Sequence, residues 1–371
     1  MHAHRRAALA CAILVACGAA AIQAAAYCAP SMGSADPQAR RLTPEATRVA
    51  PAPSPTDVLP WAAAATAIAA RPPASVVPAP VTQQSAEPAP SATEPPAAQL
   101  PPAVPTSTPS AAEESILRNN QLVVYYGTPL ASGLGVLGTL SPPDAAAAVK
   151  ARAAIFDAIN GEHLGAVPAL DVIYSLAQAE PTKNGMYIRH LPDSYVEEYV
   201  RLADEHDLQI VLDLQIGRAR VIDEVKRIER FLRNPRVHVA IDPEYAVGPD
   251  GVPIQTPGRI SGDEINEVQA YLRGLVDEHG LPPKVLVVHQ YMDPTIVAPE
   301  RVERVESIDY VVNMDAFGDV KAKKKKYRHF SDKPPETKLD GFNIFLKQDH
   351  AVLTEEEILQ LSPVPHVIFY Q

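Results

Sequence analysis

Asp242 and Glu244 close the run Val237-His238-Val239-Ala240-Ile241-Asp242-Pro243-Glu244-Tyr245. Residues i and i+2 of an extended strand share a face, so the two carboxyls are expected to project together from the end of an apolar strand. Burying such a pair without partners is costly. That cost points to a site; the alternative is a pair of loop acids facing water. Polar residues recur at the ends of other apolar runs: Asp213 and Gln215, His289 and Tyr291, Asn313 and Asp315, then Asp349 and Gln371. Carboxylates that converge push each other's pKa values apart, so that one keeps its proton while another is ionised. Hydrolysis of a glycosidic bond needs that division of labour. On this reading Glu244, Asp242 and Asp213 are the candidate catalytic residues. Tyr126, Gln215, Tyr245, His289, Tyr291, Asp315 and Asp349 are the candidate substrate contacts.

Something must hold these residues together. Short apolar runs alternate with stretches of helical period: Leu122–Gly127, Ala169–Tyr174, Gln209–Gln215, Val237–Tyr245, Lys284–His289, Tyr310–Asp315, Gly341–Leu346 and His366–Tyr370 are the predicted strands. Pro143–Ile159, Ser194–His206, Val221–Leu232 and Glu264–His279 are predicted helices. Near-continuous apolar strands alternating with helices argue for a parallel sheet covered on both faces. Eight of them in roughly 250 residues match an α/β fold, the (β/α)8 TIM barrel, whose sites lie at the C-terminal ends of the strands. The last strand then lies at the extreme C-terminus without a following helix, and the outer layer there is open or covered by the segment Glu114–Asn120. A doubly wound open sheet is the competing architecture. Its phosphate-binding fingerprint is matched only by Gly133-Leu134-Gly135-Val136-Leu137-Gly138, which sits past the first strand with no helix directly behind it and reads as a flexible loop.

Several residues also have plainer readings. His289 suits a core histidine satisfied by a neighbouring carbonyl, and Asp171 a buried hydrogen-bonding residue inside strand two. Asp349 is a possible helix cap, and the run Lys321–Arg328 a solvated loop or helix face. Asp263-Glu264 reads as a helix N-terminus favoured by the helix dipole.

The rest of the chain is different in kind. Of 371 residues, 38 are proline, and half of these are concentrated before Glu113, in under a third of the chain. The head His4-Arg5-Arg6 and the apolar run Ala7–Ala16 read as an export signal, too short to span a bilayer permanently. Leu14-Val15-Ala16-Cys17-Gly18 resembles the lipobox of bacterial lipoproteins, which implies residues 1–17 as signal and Cys17 as the lipidated residue. A cut after Ala24-Ala25-Ala26, releasing a soluble protein, is the alternative. Residues 18–113 read as a Pro/Ala-rich disordered tether that cannot bury enough apolar surface to order itself, and 114–371 as the barrel domain. All three cysteines (Cys11, Cys17, Cys28) lie before the barrel, which excludes a disulfide, a thiolate metal site or a cysteine nucleophile from it. The formal charge of −11 argues against nucleic acid as a partner. No cofactor is expected; the expected partners are a glycan or cell-wall polymer and, through the anchor, a membrane.

Ile241-Asp242-Pro243-Glu244-Tyr245 resembles the end of the strand-four signature of chitinase-type glycoside hydrolases, Asp-x-Glu-Tyr, whose Glu is the catalytic acid. Val312-Asn313-Met314-Asp315-Ala316-Phe317-Gly318 is similar to their strand-six Met-x-Tyr-Asp segment. The resemblance implies that Glu244 protonates the leaving oxygen, Asp242 orients and tunes it, and Asp315 holds substrate. Val237 and Ala240 stand where the signature has its earlier acids, Met314 replaces the strand-six Tyr, and no Trp ends strand eight. More broadly the folded region resembles secreted barrel lipoproteins of bacteria. Two other readings stand beside hydrolysis: a non-catalytic carbohydrate-binding barrel using Tyr surfaces, and a divalent-metal hydrolase built on Asp213, Asp242, Glu244 and His289.

Overall fold

The computed structural model describes residues 114–371. The expected signal, Cys17 and the Pro/Ala-rich tether lie outside the described residues. Eight parallel strands are present: β1 (Asn120–Gly127), β2 (Gly165–Ala177), β3 (Gln209–Gly217), β4 (Val237–Ala246), β5 (Lys284–Gln290), β6 (Ile308–Met314), β7 (Leu339–Ile344) and β8 (Val367–Tyr370). Each pairs with its sequence neighbours, and β1 pairs with both β2 and β8, so the sheet closes. This is the expected (β/α)8 barrel. A short antiparallel strand, Ile188–His190, is added outside β2.

The near-continuous apolar strands follow from burial on both faces. Leu122, Val124, Val211, Ala240, Val287, Val311 and Phe369 fill the interior. The alternate residues, among them Val123, Leu170, Leu212, Val239 and Ile368, pack outwards against helices. The first helix, α1 (Pro142–Asn160), starts at Ser141, whose side chain accepts from the Asp144 amide, and it has Pro in its first turn. It buries Val149, Ala153 and Phe156 against the sheet; a fully buried Phe contributes on the order of 2–3 kcal/mol. Then come α2 (Asp193–His206), α3 (Val221–Arg227) and α4 (Glu229–Leu232). The predicted helix Val221–Leu232 is thus broken at Ile228, where ψ turns to 8°. Ser261 and Glu264 form a capping box at the start of α5 (Gly262–His279). Two helices remain, α6 (Val320–Ser331) and α7 (Glu355–Leu359). No α-helix lies between β5 and β6; Pro294 and Pro299 sit in 3-10 turns there, as proline cannot supply the amide a helix interior needs.

The gap after β8 is filled differently from either expectation. Tyr370 packs edge-on against Tyr125 at 5.9 Å, and the Arg152 guanidinium of α1 lies 4.8 Å over its ring. Arg152 also pairs with Glu355 of α7. The segment before β1 instead closes the opposite end: Leu117 is buried among interior residues, and the Ser115 hydroxyl donates to Asp309 of β6.

Lys284 opens β5 with 1% exposure. Its Nζ donates to the carbonyls of Asn234 at 2.7 Å and Val237 at 2.9 Å. Burial pushes its ammonium down to about 7. The unfolded lysine keeps its proton to a much higher pH, so from about pH 7 to 10 the unfolded state binds more protons and stability rises with pH. Urea midpoints of the natural sequence should climb relative to Lys284→Met across that window. Parallel curves would show that Lys284 keeps its charge in the fold.

Candidate functional site

Seven of the eight barrel strands, all but β2, carry residues at or just past their C-terminal ends that meet in a cavity of about 310 Å³. It is lined by seven of the candidate site residues, Tyr126, Gln215, Asp242, Glu244, Tyr245, Tyr291 and Asp315, together with the strand-end Gln371. Asp213 and His289 lie deeper, 0% and 2% exposed, beneath the cavity floor. The strand pairing explains the depth: Asp213 is in register with Ala240, two residues below Asp242, and Gln215 with Asp242. A carboxylate from β3 therefore stands beside the position where the chitinase-type signature carries an acid on β4 itself.

Asp349 does not line the cavity. Its Oδ1 accepts from the Gly318 amide and its Oδ2 from the Phe345 amide, both at 3.0 Å, and it pairs with buried Lys323. It is a clamp between the loops after β6 and β7. The lysine run is a helix, α6, one of the two forms expected of it, but its face is not wholly solvated. Lys323 turns inwards, and Lys326 donates to the Tyr291 carbonyl at 3.2 Å while covering its ring at 4.8 Å.

The loop Gly133–Gly138, expected to be a flexible excursion, forms a wall of the cavity. Gly135 bridges back to Gly127, the Thr128 amide donates to the Leu134 carbonyl at 3.2 Å, and Val136–Gly138 make a 3-10 turn. Gly135 has φ +70°, and a Cβ there would meet the Tyr126 carbonyl at 2.2 Å. Only glycine fits that close approach. Phe317 and Phe345, in edge-to-face contact at 5.7 Å, complete the aromatic lining with Tyr125, Tyr126, Tyr245 and Tyr291. Neither phenylalanine was singled out in the sequence, because an apolar residue in a loop carries no chemical signal of its own.

The electrostatics follow from crowding of acids. Burial, then the charges of Asp213 and Asp315, hold the Asp242 carboxyl well above the usual range. Burial, then Asp242 and Asp315, do the same to Glu244. Asp315 is pushed up only to about 6: burial raises it, while hydrogen bonding from Asn343 and the charges of Lys323 and Lys326 oppose the rise. The same surroundings thus separate a proton-holding Glu244 from an Asp315 that ionises more readily.

Below them Asp171 is 0% exposed with neither oxygen hydrogen-bonded, contrary to the satisfied core residue expected. His289 does not bond a carbonyl as expected; its Nδ1 pairs with the Asn313 amide at 3.0 Å. Burial lowers its pKa to about 3, so the ring is neutral at ordinary pH. Gly341 leaves the room Asn313 needs, since a Cβ at that position would meet Asn313 Oδ1 at 2.6 Å.

A second cavity of about 70 Å³ adjoins the first, lined by Ile254–Pro257, Met292 and Thr295, and shares Glu244 and Tyr291 with it. Glu244 therefore stands at the boundary of two spaces.

No protein-family model matches the chain, and no curated protein matches it. Among solved structures it is similar to a hyperthermophilic endo-β-1,4-glucanase crystallised in complex with substrate, at 8% identity and a TM-score of 0.29. The match covers 55% of this chain and 77% of that one. At that level of likeness, the closed eight-stranded parallel barrel and its converging carboxylates stand on their own geometry.

Proposed function

We propose that the barrel domain hydrolyses a glycan, with Glu244 as the general acid. The observation that supports this best is the position of Glu244 between two cavities. An acid that protonates the oxygen joining two sugars needs room for a ring on each side. Tyr126, Tyr245, Tyr291, Phe317 and Phe345 offer apolar faces on which pyranose rings stack. Asp242 sits beside Glu244 and keeps its proton on, and Asp315, anchored by Asn343, supplies the ionised carboxylate facing the developing positive charge. A broad panel of cell-wall and storage polysaccharides, assayed for new reducing ends with the full chain, tests the reading. Binding without cleavage anywhere in the panel would favour a carbohydrate-binding barrel; neither binding nor cleavage would sink both.

We infer further that the domain is exported and held at the cell surface through Cys17 and the tether of residues 18–113. Radiolabelled palmitate should enter the natural sequence and not Cys17→Ser. Label-free protein recovered from the medium would support the cut after Ala26 instead.

A further inference from the structure

We propose that Asp171, Asp213 and His289 bind one divalent cation in the floor of the barrel, beneath the carboxylates assigned to glycan hydrolysis. One donor atom from each lies within 4.8 Å of the other two. His289 Nε2 stands 3.8 Å from Asp213 Oδ2, and all three side chains are at most 2% exposed.

What points to a ligand is the state of these atoms. Both oxygens of Asp171 and Nε2 of His289 are buried and lack a hydrogen-bond partner. The Asp213 oxygens face the Tyr126 hydroxyl without a well-formed hydrogen bond. Native proteins rarely leave buried polar atoms in this state, and an unpaired buried carboxylate is costlier still. Among the described residues, no lysine or arginine ion-pairs with Asp171 or Asp213, and Lys323, the buried cation nearby, is committed to Asp349. Two adjacent carboxylates must therefore be compensated by protons or by a metal ion.

The donor set favours the ion. The Asn313 side chain occupies Nδ1 of His289 at 3.0 Å, leaving Nε2 as the nitrogen directed at the acids. A ligating histidine donates its other ring N–H to an acceptor; turning the Asn313 amide over presents its unpartnered Oδ1 to Nδ1–H of His289 and leaves Nε2 free for the ion. Two carboxylates and one imidazole suit Zn2+ or Mn2+ better than an all-oxygen cation such as Ca2+. Ligand atoms at Zn2+ bond lengths of about 2.0–2.1 Å stand roughly 3.3 Å apart, so the donors would draw together by around an ångström. The ion would neutralise Asp171 and Asp213 and tie β2, β3 and β5 together under the cavity. This holds whether or not the domain cleaves a glycan.

The test uses the full chain stripped with EDTA and titrated separately with Zn2+ and Mn2+ by calorimetry, with thermal unfolding alongside. One ion per chain is expected, together with a rise in Tm of several degrees. Asp171→Asn and His289→Gln should each weaken binding at least tenfold, whereas Glu244→Gln should keep the stoichiometry. Three results would overturn the proposal. Neither ion binds the natural sequence, which needs no variant to fold. Asp171→Asn raises Tm without any metal effect in the natural protein, which means that protons compensate the cluster. Asp315→Asn abolishes binding while Asp171→Asn leaves it intact, which puts the ion with Asp242, His289 and Asp315 instead.

Discussion

Glu244→Gln is expected to lower turnover of a susceptible glycan by roughly 10²–10⁴-fold, the usual worth of a positioned general acid, with little change in binding. The amide is the same size as the carboxyl and keeps contact with both cavities, so only the transferable proton is removed. Burial, then the charges of Asp242 and Asp315, raise the Glu244 pKa and so favour its protonated form, and glutamine has no such proton to give. A glycoside whose leaving group departs easily as an anion should lose much less activity in the variant. That contrast separates loss of the acid from general damage to the pocket. Equal losses on both substrates, or an active Glu244→Gln protein, would remove Glu244 from the role.

The largest effect on stability is expected at Asp349. Asp349→Ala should destabilise the fold by about 3–5 kcal/mol, as for other buried ion pairs broken from one side. Lys323, 1% exposed, would keep its charge without a counter-ion. The amides of Gly318 and Phe345 would lose their acceptor as well. Replacing both partners, with Lys323→Met and Asp349→Leu together, should recover much of the loss, since the stranded charge goes with its partner. Urea unfolding of the two single variants and the double variant measures this directly. A loss under about 1 kcal/mol in Asp349→Ala would show that water reaches Lys323. Activity should fall too, because the clamp holds the strand end carrying Phe345 against Phe317.

Much of this molecule is legible in one dimension. Every strand of the barrel is marked by a short run of apolar residues, because a parallel sheet covered by helices buries both faces of each strand. The alternation is strict enough that Asp242, Glu244, Asp213, Gln215 and Asp315 declare themselves as inward-facing at strand ends by parity alone. Side-chain direction in a strand has period two, so the pattern needs no knowledge of what lies opposite. The helix start at Asp263-Glu264 is local in the same way.

Depth, partners and loop paths are not local. Asp213 and Asp242 look equivalent as strand-end acids, yet the stagger between β3 and β4 buries one below the floor and leaves the other lining the cavity. Asp349 looks like another such acid, and only the meeting of α6 with the loop after β7 turns it into a clamp. Asp171 reads as an ordinary core hydrogen-bonder until its neighbours are known and none donates to it. The Gly133–Gly138 loop becomes a wall because Gly135 returns to Gly127, a contact set by backbone clearance rather than by any side chain. The chain by itself therefore determined the barrel and which residues face its axis, since both follow from periodicity along a strand. The tertiary structure decided which of those residues touch solvent and which touch each other, because that depends on register between strands and on the few ångströms by which loops close over the mouth.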